Sequence, residues 1–150
     1  EEVLEAVGAG HTLFLRISKL PFPTVALVDG ACMGGGTELI LSFDERIVSA
    51  GKTKIALPEV NVGLIPGWGG TQRLPRLTGI HHAISMITSG SPQNPKTCVS
   101  CGLAFDAVPA DQLLEFADLS VQLHRERRTR AGSGIPRMEV ETQGAVTGWI

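Results

Sequence analysis

Three consecutive glycines, Gly34, Gly35 and Gly36, interrupt an otherwise apolar stretch between Thr24 and Leu41. Thr24-Val25-Ala26-Leu27-Val28 before them is short, β-branched and followed by Asp29-Gly30, which reads as a buried strand. Leu39-Ile40-Leu41 after them reads as the start of a buried helix. Glycines in series between strand and helix imply a close approach to the backbone, because a Cβ there would block it. The helix start aims unpaired N–H groups and a partial positive charge at the same space. Glu38 stands one turn further on. Backbone donors beside a carboxylate suit chemistry on a carbonyl whose oxygen gains negative charge. The glycines alone fit a tightly packed strand-to-helix turn equally well.

Composition narrows the class without choosing a function. The 150 residues are 43% hydrophobic and 19% charged, the balance of one globular domain with chain enough for a core. Thirteen basic and fifteen acidic side chains leave a net charge of −2, no field for nucleic acid or an anionic membrane. No apolar run reaches the length of a membrane span, and the acidic Glu1-Glu2-Val3-Leu4-Glu5 is unlike a signal peptide. Three cysteines at irregular spacing argue against a disulfide framework and for a reducing, cytoplasmic compartment.

From the start of the chain, Val3, Leu4, Val7, Leu13, Phe14 and Ile17 recur near the helical period, and Gly8 and Gly10 predict a break within that helix. Gly8-Ala9-Gly10 is not a dinucleotide fingerprint, since no strand precedes it and Leu13 takes the third glycine's place. Beyond the glycine turn a helix is predicted over about 36–43, then strands over 46–49 and 54–57 joined by a turn at Gly51-Lys52. Glycines and prolines forbid regular structure over 57–71, yet this stretch is unusually apolar for a loop and carries a lone Glu59. Long loops of that kind are more often functional than decorative.

A proline-interrupted helix is predicted over 71–79, and another over 80–88 with Ala83, Ile84 and Ile87 inward. Asn94-Pro95 makes a good cap and first position for a helix to Ser100, closed by Gly102. A brief strand follows over 105–108. An amphipathic helix is predicted over 111–128, with Leu113, Leu114, Ala117, Val121 and Leu123 inside and Arg125, Arg127 and Arg128 near its end. Periodicity stops at Thr129, so the domain reading is 1–128 with a flexible tail over 129–150. No internal repeat is visible.

The glycine turn, Glu38, Pro58-Glu59 and the run from Pro66-Gly67-Trp68-Gly69-Gly70-Thr71 to Arg76 together resemble the crotonase (enoyl-CoA hydratase/isomerase) superfamily, most closely the hydratase portion of bacterial multifunctional fatty-acid oxidation proteins. Each motif is weak alone, but they come in the family's order and near its spacing over most of 1–128. The resemblance implies an α/β, crotonase-like spiral of ββα units, here incomplete. It implies that the N–H of Gly35 is one donor of an oxyanion hole, that Glu38 and Glu59 flank the C2–C3 double bond, and that Gly67 helps hold the catalytic water. It implies a substrate-binding lining from Met33, Gly34, Pro58, Val62 and Trp68. The expected reaction is hydration of 2-enoyl-CoA to 3-hydroxyacyl-CoA in fatty-acid β-oxidation. Double-bond isomerisation and a non-catalytic acyl-CoA-binding or subunit-docking remnant are its rivals. The expected partners are the acyl-CoA substrate and either identical subunits, as in a trimer, or the rest of a larger fatty-acid oxidation protein, with no metal or redox cofactor.

Chemistry independent of the resemblance agrees with a pair of carboxylates, because adding water needs one group to take a proton and another to give one. Two carboxylates sharing a dry site have their pKa values pushed apart, which divides the labour. Glu38 is given the base role and Glu59 the acid role. The family also has a βαβ region before the position of residue 1, which supplies the second oxyanion donor and much of the CoA surface. The 150 residues are therefore expected to read as a fragment, and to hydrate poorly alone. Cys98-Val99-Ser100-Cys101 invites a redox reading, but buried structural thiols are expected. His11, His81, His82 and His124 lack metal-ligand spacing, and neither a Gly-x-Ser-x-Gly elbow nor a P-loop is present.

Overall fold

The first helix, α1 (Glu2–Ser18), runs unbroken through Gly8 and Gly10, contrary to the predicted break. The glycines cost about 1 kcal/mol each in helix propensity. Gly10 recovers part of that cost tertiarily, because the Trp68 indole packs where its Cβ would stand. The computed structural model describes residues 2–131, with side chains described for residues 4–123. Of the tail expected over 129–150, residues 129–131 continue the last helix instead, while 132–150 lie outside the described residues, as do the side chains of Arg125, Arg127 and Arg128.

After α1 the chain enters β1 (Val25–Val28) and then β2 (Ala31–Met33), a strand hidden inside what reads as turn. Then come α2 (Gly35–Ile40), β3 (Glu45–Ser49) and β4 (Lys54–Ala56). The turn at 51–52 carries the chain from one sheet to another and does not fold β4 back on β3. A single 3₁₀ turn, Glu59–Val62, gives the 57–71 stretch a piece of regular structure that its glycines and prolines argued against. Four α-helices, one strand and a second 3₁₀ turn (Ala110–Gln112) complete the order among the described residues: α3 (Gly70–Thr78), α4 (Ile80–Ser89), α5 (Pro95–Ser100), β5 (Asp106–Val108) and α6 (Leu113–Ala131). Pro75 sits inside α3 without interrupting it. Asn94 caps α5 as expected, its Oδ1 accepting the Thr97 N–H at 2.9 Å.

The pairings among these five strands are parallel, and one isolated bridge, Ile55 with Gln93, is antiparallel. One sheet has the order β1-β3-β5, and β2 pairs with β4 in the second. The second ββα unit thus adds one strand to each sheet, and β5 extends the first. Val25 lies opposite Glu45 in one sheet and Ala31 opposite Lys54 in the other, so the second turn of the spiral repeats the first in space without repeating its sequence.

Strand alternation divides the core. Val48 joins the main cluster with Ile55, Leu57, Leu74, Met86 and Leu103, while Ile47 turns to a smaller cluster with Val108 and Leu113 under α6. Arg46, on the Val48 side of β3 by the same alternation, is buried and donates from Nε to the Leu103 carbonyl (2.7 Å) and from Nη1 to that of Phe43 (2.8 Å). Helix faces differ from the expected ones in detail. Met86 is inward on α4, whereas Ile84, expected inward, is 53% exposed, and on α6 Leu114 and Leu123 face out while Ser120 is buried. No helix among the described residues is long and apolar enough to cross a membrane.

Candidate active site

Because β2 and β4 are parallel neighbours, their C-terminal ends lie side by side, the place where open α/β sheets gather ligands. Each strand end leads within a few residues to a carboxylate: Glu38 on α2 after β2, and Glu59 on the 3₁₀ turn after β4. The two carboxylates lie close enough for each charge to act on the other. Gly34 separates them. Its φ of +55° is one that other residues adopt at a cost, and a Cβ there would stand 3.2 Å from Glu59 Oε1. Thr37 binds the strand ends together, its hydroxyl lying 2.9 Å from the Cys32 carbonyl and 2.7 Å from that of Ala56.

Glu38 is 2% exposed. Its Oε1 accepts two hydrogen bonds, from the N–H of Trp68 at 2.7 Å and from that of Gly70 at 2.8 Å. Gly70 opens α3, so the carboxylate faces the positive end of that helix. Burial is the largest influence on Glu38 and raises its pKa. The Gly70 and Trp68 amides pull it back, the Glu59 charge raises it further, and His11 on α1 lowers it. The net direction is upward, which is what a carboxylate that exchanges protons near neutrality requires. Both of these hydrogen bonds fall on Oε1 and leave Oε2 outside the pair. In Glu59 the Oε2 atom is shut away from solvent with no hydrogen-bond partner. An orphaned buried acceptor of that kind costs about 1–3 kcal/mol and is tolerated chiefly where function demands it.

Trp68 links the glycine-rich segments. Its benzo ring packs where a Cβ of Gly35 would stand, its pyrrole ring does the same at Gly10, and Phe14 meets it edge-on at 5.8 Å. The indole Nε1 is buried without an acceptor. The N–H groups of Gly35 and Gly36 open α2, outside its hydrogen-bond ladder.

The structure therefore brings Glu38, Glu59, Gly34, Gly35 and Trp68 together. Pro58 immediately precedes the 3₁₀ turn, and Gly67 is exposed one residue before the amide that binds Glu38. Met33 is half exposed at the end of β2, and Val62 projects to solvent with 73% of its surface exposed. Sequence reasoning missed the amides of Trp68 and Gly70 as the anchors of Glu38, and missed His11 and Arg73 around it. The signal for the amides was present, since glycines before a helix start make an anion-binding concavity.

The three thiols form no part of this site. Burial raises the pKa of Cys32, Cys98 and Cys101, that of Cys98 to about 12, and all three cysteines are free. Thiolates are the reactive form, so a disulfide-exchange reagent at pH 8 is expected to label the native chain slowly and all three thiols at once after unfolding. Prompt native labelling, or a readily formed Cys98–Cys101 disulfide, would show the burial argument wrong.

Two sheets wound by successive ββα units, with paired carboxylates at the ends of the inner strands, define a crotonase-type spiral. The enoyl-CoA hydratase/isomerase family profile matches residues 5–129, and the chain belongs to that family. The fatty acid oxidation complex alpha subunit of Shewanella halifaxensis is 48% identical over 109 residues, 72% of this chain and 15% of that protein. That of Shewanella baltica gives the same figures. The chain thus spans about 15% of the length of these curated relatives. An enoyl-CoA hydratase of Bacillus anthracis superimposes with a TM-score of 0.75 at 35% identity, over 81% of this chain and 47% of that one. Pseudomonas aeruginosa DspI gives 0.78 at 30%, over 86% and 52%. The described residues therefore make up part of the fold found in those structures.

Proposed function

We infer that this chain carries the two-carboxylate site of an enoyl-CoA hydratase, adding water to a 2-enoyl-CoA thioester to give the 3-hydroxyacyl-CoA. The observation that carries the reading is a buried Glu38 with a raised pKa beside Glu59, at a turn of three glycines. Glu38 takes a proton from water, and a raised pKa makes it the stronger base. The hydroxide adds to C3 as Glu59 gives a proton to C2. Negative charge gathered on the thioester oxygen in between is met by the N–H of Gly35. Gly67, Gly34, Pro58 and Trp68 shape the surroundings of the water and the acyl chain, and Met33 and Val62 line its outer part. The chemistry calls on no metal or redox cofactor. The named relatives support a role within a larger fatty-acid oxidation protein.

Crotonyl-CoA hydration tests this, in the chain itself and in a chimera carrying residues 2–131 in place of the matching segment of the Bacillus anthracis hydratase. Glu38→Gln and Glu59→Gln are each expected to lower kcat at least about 10²-fold. Hydration that survives both substitutions would overturn the assignment. Isomerisation of a 3-enoyl-CoA kept in Glu38→Gln while hydration is lost would favour the isomerase reading.

A further inference from the structure

Arg73 does not belong to the pair of carboxylates, yet it grips the loop that holds one of them. From α3 its Nη1 donates to the Trp68 carbonyl at 2.8 Å, while the N–H of that same residue donates to Glu38 Oε1 at 2.7 Å. Its guanidinium occupies the volume where a Cβ of residue 69 would stand, and Gly69 has a φ of +102°. The Gly69 carbonyl is held in turn by the amides of Gln72 and Arg73, at 3.1 and 2.9 Å. The 68–70 loop is thus clamped on both faces, by Glu38 on its amide side and by Arg73 on its carbonyl side.

We propose that Arg73 is a positioning residue for Glu38: it locks the Trp68 and Gly70 amides in the geometry that orients the carboxylate, and adds a positive charge behind them. The charged groups facing Glu38 are then Glu59 from the 3₁₀ turn, His11 from α1 and Arg73 from α3. Arg73 is partly buried, and the Glu38 charge counteracts the lowering of its pKa by burial. Arg76, one turn on, is exposed and bonds only within its own helix, to the Gln72 carbonyl at 2.7 Å. A planar fork is what allows one side chain to fill the Gly69 concavity and bond the carbonyl beyond it.

The proposal rests on the reading of Glu38 as a reacting carboxylate, but its test uses no substrate. The Glu38 carboxyl carbon is titrated by NMR in the 150-residue chain, and exchange of the Trp68 and Gly70 amides is followed alongside. Arg73→Gln is expected to raise the Glu38 midpoint by about one pH unit and to lose the protection of both amides. Arg73→Lys keeps the charge without the fork, so it is expected to raise the midpoint less than Arg73→Gln does while still losing amide protection. Arg76→Gln is expected to change neither. Native protection and an unmoved midpoint in Arg73→Gln would overturn the proposal. If that variant does not fold, native amide protection in Arg73→Lys overturns it instead. A chain inert toward crotonyl-CoA leaves this result standing, and a failed titration leaves the hydratase reading standing.

Discussion

Replacing Gly35 with alanine is expected to destabilise the chain by about 3 kcal/mol, or about 10 °C in Tm, whereas the same change one residue later costs almost nothing. A Cβ at position 35 would overlap the benzo ring of Trp68, which Gly10 and Phe14 hold from the other side. The ring is pinned between Gly10, Phe14 and Gly35, so it must leave that wedge or α1 and α2 must part. At Gly36 the nearest atom to a new Cβ is Cys32 Sγ at 3.7 Å, an ordinary contact, and the position is exposed within a helix. There alanine gains up to about 1 kcal/mol of helix propensity. Thermal melts of the two variants decide it. Equal Tm values would mean that the wedge is not packed as described.

At Glu38 the choice of substitute separates holding the loop from doing chemistry. Glu38→Leu fills the space but leaves the Trp68 and Gly70 amides without an acceptor, at about 1–3 kcal/mol each. Glu38→Gln keeps an oxygen at the same place and is expected to hold the fold while losing the exchangeable proton. The pH dependence carries the sign. Glu38 has a folded pKa above the ordinary 4.5 of a free glutamate, so the folded state favours the protonated form. Its contribution to stability is complete below pH 4.5 and is lost as pH rises through the folded pKa. The stability of Glu38→Gln relative to the native chain should therefore improve from pH 4 toward neutrality, then level off. A relative stability that falls over the same range would mean that the amides and helix end outweigh burial, and that Glu38 is held ionised.

What was legible in the sequence was local chemistry. The triple glycine, the Asn94-Pro95 cap and the two carboxylates each announce themselves within a few residues, and the structure has them where backbone rules put them. What was not legible depends on partners distant in sequence. Ala31-Cys32-Met33 becomes a strand only because β4 lies beside it, and no propensity within three residues says so. Ile84 and Leu114 satisfy a helical stripe as well as Met86 does, but the face that packs is chosen by neighbouring elements. The spatial repeat of ββα units, which the family resemblance implied, leaves no repeat in the sequence because pairing register imposes it without needing matched side chains. Arg73 escaped notice for a similar reason: an arginine near a helix start reads as a solvated charge until the loop carbonyl it grips is in view.

The seating of α1 has a kinetic consequence. Phe14 is its one deeply buried residue among those described, and its two glycines leave it a poor helix in isolation. Its anchor, the indole of residue 68, arrives only when a glycine-rich loop from far along the chain has closed, and such non-local contacts form slowly. α1 is therefore expected to consolidate late in folding and to be among the first segments to detach in native-state fluctuations. Each such opening strips one side from the Trp68 wedge, so transient access to the backbone of Gly35 is set by the lifetime of a helix that carries neither of the two carboxylates.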